Sequence, residues 1–408
     1  MRKIFYGWWI VCACFLIAFY VGGIIFYGFT AFIEPLIKEF GWSYAKVSFA
    51  ASLRGLEMGI LAPFVGLLAD RWGSRKLLLG GIIILGSGTI LLGITQSLAM
   101  FYGAFLLIAF GAGGCTSVVT MTAVANWFEH NIGKAMGLMA SGFGASGLMV
   151  PVIVWLIGAY GWRTACFMLG AGMWMIGVPL TFVIRNNPED HGYIPDGVSS
   201  EPSGAVAGNR WHNREIQFKS VLRTRSYAFV NLAEAIRMMT LSAVVTHIMP
   251  YLSSTGMSRT SAGLVAAGIP LISILGRFGL GWLGDFFEKK YVMAAAHGLM
   301  ALGMLSLSYV EVGGFIYAFL FLFSVGFGGL AVLRGALIRD YYGRVAFGKL
   351  IGIVMGSAAC GGIIGPTVAG WVFDTMGSYV FIWQVLCGFS VVAVLFILTI
   401  QTKQNSNQ

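Results

Sequence analysis

Apolar runs of about 20 residues, the length an α-helix needs to cross a bilayer, recur along this whole 408-residue chain. Twelve are predicted: Trp8–Thr30, Ser48–Leu68, Leu77–Ile94, Met100–Val124, Gly133–Ile157, Ala165–Ile184, Tyr227–Leu252, Ala262–Leu283, Val292–Tyr309, Phe315–Leu337, Leu350–Phe373 and Val380–Ile400. They are numbered one to twelve below. The first run is too long for a cleavable leader and has no small-residue cleavage site, so insertion through the chain's own helices is expected. Composition agrees: 58% of residues are hydrophobic and 10% charged, against about 25% charged in soluble domains. The expected class is an all-α membrane protein of twelve transmembrane helices.

A net charge of +10 is also what a nucleic-acid binder would carry, but its distribution points elsewhere. Basic residues gather in every second loop: Arg71, Arg75 and Lys76; Arg185 to Arg225; Lys289 and Lys290; Arg339, Arg344 and Lys349. The alternate loops hold only Lys38, Lys46, Arg163 and Arg259. Cytoplasmic loops carry such an excess, which predicts both termini in the cytoplasm, a plasma (inner) membrane location and no nucleic-acid partner. The six cysteines, Cys12, Cys14, Cys115, Cys166, Cys360 and Cys387, all fall inside apolar runs and lack metal-ligand spacing with histidine. They read as small packing residues, and no metal or cofactor is expected.

One loop differs from the rest. Residues 185–225 are polar, with Pro188, Pro195 and Pro202 among several Gly and Ser, the composition of a partly disordered linker. It divides the chain into 1–184 and 226–408, six runs each. The halves repeat. Gly133-Lys134 and Pro151 of run five match Gly348-Lys349 and Pro366 of run eleven at an offset of 215 residues, and the same offset carries Gly66 and Asp70 onto Gly281 and Asp285. Duplicated six-helix bundles with a solute site near mid-bilayer are a transporter architecture. Glycines within the runs, such as Gly111, Gly113 and Gly114, suit close helix packing, with helix sliding during transport as a second use.

The segment Gly66-Leu67-Leu68-Ala69-Asp70-Arg71-Trp72-Gly73-Ser74-Arg75-Lys76 resembles the signature loop of the major facilitator superfamily. Gly281-Trp282-Leu283-Gly284-Asp285 looks like its degenerate second copy. The resemblance covers the whole chain and implies two pseudo-symmetric six-helix bundles that work by alternating access. It also implies a conformational latch at Gly66, Asp70, Arg71, Gly73, Arg75, Gly281 and Asp285, with a plain loop salt bridge as the alternative. Tyr6-Gly7-Trp8-Trp9, Trp127-Phe128 and Gly161-Trp162-Arg163 are similar to the branch of monocarboxylate transporters and oxalate–formate antiporters. In that branch the position of Arg277 is a substrate-carboxylate ligand. Two features depart from it: run eleven has no mid-depth lysine, and Ser273 stands one turn before Arg277 where animal monocarboxylate carriers have aspartate.

Ionisable groups inside a membrane are costly and point to solute or ion pathways. Arg54 and Glu57 on run two, and Glu234 and Arg237 on run seven, are each three apart, so each pair shares a helix face and can neutralise itself. That leaves Arg277 and Arg334 without a sequence-local partner, and two surplus positive charges suit an anion. Arg277 lies eight residues before Asp285, about 12 Å into the membrane at 1.5 Å per residue. There its guanidinium could hold a carboxylate through two parallel bonds; snorkelling is the alternative, and more so for Arg334. Glu234, beside Arg237, is the proton-coupling candidate, with Arg54–Glu57 as a structural or coupling pair. Tyr20 and Tyr27 on run one share a face and could wall a pocket. Thr116 and Thr120 on run four could offer hydroxyls to solute or to neighbouring helices. His247 suits an interfacial role and His297 a packing one.

No phosphate-binding loop, metalloprotease helix or nucleophile elbow occurs, so neither ATP-driven transport nor enzymatic catalysis is expected. The sequence predicts a secondary transporter, acting as a monomer, that carries a small organic anion, most readily a monocarboxylate, with protons. Anion exchange, export of amphipathic compounds and solute sensing are the alternatives.

Overall fold

A computed structural model describes residues 5–42, 46, 61–115, 117–195, 218–310, 314–343 and 346–400. The described residues form helices and connecting turns, with no strand among them. In the first half the helices are α1 (Gly7–Gly22), α2 (Phe29–Phe40), α3 (Ser74–Gly93), α4 (Leu98–Gly113), α5 (Ser117–Trp127), α6 (Ile132–Ala145), α7 (Met149–Gly172) and α8 (Val178–Val183). In the second they are α9 (Arg225–Ser254), α10 (Arg259–Phe286), α11 (Lys289–Ser308), α12 (Phe315–Tyr342), α13 (Phe347–Met376) and α14 (Val380–Leu398). Among the described residues, ten stretches are long and apolar enough to cross a membrane. One of these, Ile132–Val183, runs for 52 residues, about 78 Å at 1.5 Å per residue, more than twice the hydrocarbon thickness. It is broken at Gly161, whose φ of 79° and ψ of 157° are non-helical. A side chain would resist that backbone, and glycine does not. The helix breaks there, and predicted runs five and six lie on either side. Predicted run two lies mostly outside the described residues; its end is helical over 61–72.

The chain forms two compact units. One comprises Met1–Glu129 with Leu138–Ser199, the other His130–Gly137 with Ser200–Gln408. Helix α6 thus begins in the second unit and ends in the first.

In the first unit, α1 passes through a π-helical turn, Gly23–Gly28, directly into α2. The α6 helix tightens into a 3₁₀ turn at Ser146–Leu148 before α7. Pro151 stands just inside α7, and a 3₁₀ turn is one way to accommodate the proline's missing N–H. Ile10, Cys14, Ile17 and Val21 of α1 are fully buried against this bundle. Near one end, Tyr6 donates to the Val183 carbonyl (2.8 Å), Trp127 Nε1 donates to Arg185 O (2.9 Å), and the Arg185 guanidinium lies 4.3 Å from the Tyr6 ring centroid. These contacts anchor the chain where it leaves α8. At the Gly161 turn, Glu39 accepts from Arg163 Nη2 (2.7 Å) and Trp162 Nε1 (2.6 Å), while Arg163 Nη1 donates to Gly93 O (3.0 Å) and Thr95 O (2.9 Å). The Arg163 hydrogen bonds, helped by that from Trp162, hold the Glu39 carboxyl below the usual carboxylate range.

In the second unit, α9 packs along α13, α12 lies against both α10 and α11, and α14 lies against α11 and α9. Tyr227 donates to Leu350 O (2.8 Å) and Ser357 to Asn231 Oδ1 (2.7 Å), which ties α9 to α13 in register.

Candidate functional site

The second unit seals charge inside itself. Thr224 caps α9 by accepting from Tyr227 N (3.3 Å), and two to three turns on come Glu234 and Arg237. One helical turn apart, they meet bidentately: Arg237 Nε donates to Glu234 Oε2 (2.8 Å) and Nη2 to Oε1 (2.6 Å). From α12, Arg334 Nη1 also donates to Glu234 Oε1. Glu234 is 0% exposed, Arg237 2%, Arg334 6% and Arg277 7%. The ring of Phe327 on α12 has the Arg237 guanidinium carbon 5.2 Å from its centroid and that of Arg277 at 5.9 Å. Arg237 and Arg334 thus share the Glu234 carboxylate, and Arg277 lies beside them against the same Phe327 ring. Buried charges of this kind are stable only when paired and hydrogen-bonded, and a planar guanidinium is built to grip a carboxylate through two bonds.

Two expectations change here. Arg334 does not snorkel, and it does not lack a partner: it shares Glu234 with Arg237. Glu234 is accordingly the common acceptor of two helices rather than half of a self-contained pair on α9. Arg277 lies beside this cluster. The rest of the predicted site is dispersed. Tyr20 donates its hydroxyl to Leu169 O (3.1 Å), an interhelical bond within the first unit. Thr120 is buried and its Oγ1 donates back to Ser117 O (3.4 Å). Thr116, Arg54 and Glu57 lie outside the described residues, as does the side chain of Tyr27.

The second loop copy is resolved as a cap. Asp285, at the end of α10, accepts from Gly133 N (2.7 Å) through Oδ1 and from Lys134 N (2.8 Å) through Oδ2. These are unsatisfied first-turn amides of α6, where the helix dipole favours an anion. A Cβ on Gly133 would collide with the Gly281 carbonyl oxygen, and one on Gly137 would crowd that of Arg277. Glycine at 133 and 137 lets α6 lie directly on α10 one and two turns before the cap. In the first copy Gly66 is buried, Asp70 half-buried and Arg71 exposed. Gly73 takes a φ of 82°, leaving room for Asn186, whose Oδ1 accepts from Arg75 N (3.0 Å). The Arg75 guanidinium lies 5.1 Å from the Phe182 ring centroid.

His247 sits near the end of α9, its ring nitrogens 3.1 Å from Tyr379 Oη and 3.0 Å from Pro366 O. His297 of α11 is 0% exposed. Among the described residues no cluster of three His, Cys, Asp or Glu is suited to a metal ion.

The family model of the major facilitator superfamily matches residues 9–246 and 230–408. The chain belongs to this superfamily. Among relatives in this transporter family, rat monocarboxylate transporter 12 is 23% identical over 423 residues, spanning 95% of this chain and 83% of the relative. The MFS-type transporter pynF of Aspergillus niger is 26% identical over 401 residues, 92% and 86% of the two chains. Among solved structures, the human organic anion transporter MFSD10 superposes with a TM-score of 0.75 at 12% identity, over 96% of this chain and 99% of that one. The Escherichia coli fucose:proton symporter gives 0.71 at 15%, over 98% and 100%. At such identities these two structures speak for the fold alone. This major facilitator protein is thus a multi-pass membrane transporter.

Proposed function

We propose that this transporter carries a small organic anion, most readily a monocarboxylate, by proton symport through alternating access. The observation that carries this reading is the sealed pairing of Arg237 and Arg334 on one carboxylate, Glu234, with Arg277 beside them. Two guanidiniums on one carboxylate inside a membrane bundle leave a positive charge that suits a visiting anion. A substrate carboxylate would offer the guanidiniums what Glu234 now offers them. As it displaces Glu234, the freed carboxylate takes a proton, which links anion and proton movement. Arg277 is the ligand committed to the substrate, and Arg334 and Arg237 are the pair exchanged between substrate and Glu234. The similarity to proteins named monocarboxylate transporters supports the substrate class.

Exchange is the second reading. Glu234 accepts three hydrogen bonds from two guanidiniums, and a carrier in which it kept its charge throughout would swap one anion for another. The signature-loop residues, with Asp285 of α10 capping α6, serve as the conformational latch. Both termini and the 185–225 linker face the cytoplasm at the plasma membrane, and the working unit is a monomer.

The test is a panel of labelled carboxylates in proteoliposomes with and without an imposed pH gradient. Gradient-driven accumulation by wild type, lost in Glu234→Gln while solute exchange continues, is the expected result. Uptake indifferent to the gradient in wild type would establish exchange, and no movement of any carboxylate would defeat the anion reading. For orientation, Ser203→Cys should resist an impermeant thiol reagent in intact cells.

A further inference from the structure

His297 stands near the middle of α11, wholly buried, and neither ring nitrogen makes a hydrogen bond to any described residue. Its helix reaches the charge cluster through α12: a Cβ on Gly326 would collide with Ala296 O, next to His297, and the neighbouring Phe327 ring lies against the Arg237 and Arg277 guanidiniums; Glu234 and Arg237 act on the imidazole electrostatically. The two guanidiniums that hold Glu234 each keep one sealed nitrogen without a hydrogen bond among the described residues, Arg237 Nη1 and Arg334 Nε. The helices packed on α11 are α12, α14 and, less extensively, α10. Their charged residues are Arg334, Arg339 and Asp340 on α12 and Arg259, Arg277 and Asp285 on α10; α14 carries none, with Cys387 as its titratable group.

Buried polar groups in native proteins are nearly always hydrogen-bonded. An apolar residue at 297 would pack the same space without the cost of desolvating an imidazole, so the ring needs a partner. The chemistry of the open positions says which. Guanidinium N–H groups only donate, whereas a neutral imidazole donates at one nitrogen and accepts at the other. An anion would answer the arginines and leave the imidazole lone pair unmet, and a cation would be repelled. Water both donates and accepts, and buried waters characteristically bridge such groups.

We propose that His297, Arg237 and Arg334 border a hydrated chamber behind the ion cluster, and that His297 relays the proton Glu234 takes up; the second part rests on the symport reading above. A hydronium in the chamber protonates the bare ring nitrogen and becomes water. The opposite ring nitrogen releases its proton through a second water to a Glu234 oxygen freed by the substrate, forming the carboxylic O–H. One proton has moved, and the ring is neutral again in its other tautomer. Because a cationic ring would add like charge beside the guanidiniums, the relay passes its proton on rather than storing it.

Two measurements judge the two parts separately. In the first, thermal melts of purified wild type, His297→Gln and His297→Leu are compared in detergent. If the imidazole is hydrogen-bonded to water, His297→Leu breaks that network and lowers the melting temperature by about 2–4 °C, while His297→Gln, which still donates and accepts, stays closer to wild type. A dry imidazole is relieved by leucine, so an unchanged or higher melting temperature in His297→Leu overturns the chamber. The second uses labelled lactate in proteoliposomes. His297→Gln is expected to slow pH-driven accumulation at least about tenfold while lactate–lactate exchange stays within about twofold. Accumulation equal to wild type overturns the relay. A wild type that does not accumulate lactate overturns the symport reading instead, and the melts still decide the chamber.

Discussion

The interiors of the two units differ in kind. Among the described residues, the buried polar side chains of the first unit are Ser and Thr, such as Thr89, Thr120, Thr122 and Thr181. Most of these hydroxyls hydrogen-bond a carbonyl of their own helix. Where that unit holds its well-made ion pair, Glu39–Arg163, both partners are substantially exposed. The second unit buries Glu234, Arg237, Arg277, Arg334 and His297. The two halves share loop motifs at an offset of 215 residues but not their buried chemistry. Among the described residues the first is packed through apolar side chains and hydroxyls, and the second buries ionised groups. A duplicated fold can divide its labour in this way because packing depends on small and apolar residues at many sites, whereas anion recognition needs few residues on two or three helices.

That contrast can be broken most severely at Glu234. Glu234→Leu leaves Arg237 and Arg334 buried without their carboxylate, and removing one partner of a buried ion pair costs about 3–5 kcal/mol. A large fall in the melting temperature of the purified protein is expected, and a mild one would mean that the guanidiniums find other acceptors. A smaller effect is expected at Asp285. Asp285→Ala uncaps Gly133 and Lys134, and water takes over part of the lost bonding at this half-buried site, so the cost is about 1–2 kcal/mol. The same melts check it, with Asp285→Asn intermediate because one amide oxygen still accepts. The smallest effect belongs to Glu39. Its carboxyl is lowered in the folded protein by the Arg163 bonds first and Trp162 next, so its stabilisation is present above the unfolded carboxylate range and lost as pH falls through the lowered value. Solvent screens the pair. Melts of wild type and Glu39→Gln from neutral to acid pH should differ slightly at neutrality and converge below about pH 4; a constant gap would show a role independent of charge.

The sequence predicts helix positions well where apolarity and helicity coincide. Run twelve was expected at Val380–Ile400 and α14 spans Val380–Leu398. Run ten was expected to end at Leu337, yet α12 continues to Tyr342, because hydropathy stops at Arg339 and Asp340 while the helix does not. The π-helical turns at Gly23–Gly28 and Met173–Gly177 leave no trace in hydropathy, since one extra residue in a turn changes hydrogen bonding without changing composition. Within the site, Glu234–Arg237 was legible as a three-residue spacing. The third member was not: Arg334 reaches Glu234 across 100 residues of sequence, and a lone intramembrane arginine reads equally well as a snorkelling one. Asp285 was legible as part of a loop motif, but its capping of α6 was not, because its partners Gly133 and Lys134 lie about 150 residues away in the other half of the sequence.

The central claim is that the charge cluster of the second unit binds the substrate carboxylate, and Arg277 tests it most directly. Arg277→Lys keeps the charge and loses the planar fork, so two parallel bonds become one point contact. Losing one charged hydrogen bond costs about 1.5–3 kcal/mol, roughly ten- to a hundredfold in affinity. The measurement is the binding affinity of the purified protein for the carboxylate that the transport panel identifies, in wild type and Arg277→Lys, with Arg277→Ala as the stronger variant. The account predicts a loss of that size for lysine and a greater one for alanine, in proteins that remain folded. Affinity unchanged in Arg277→Ala would contradict it.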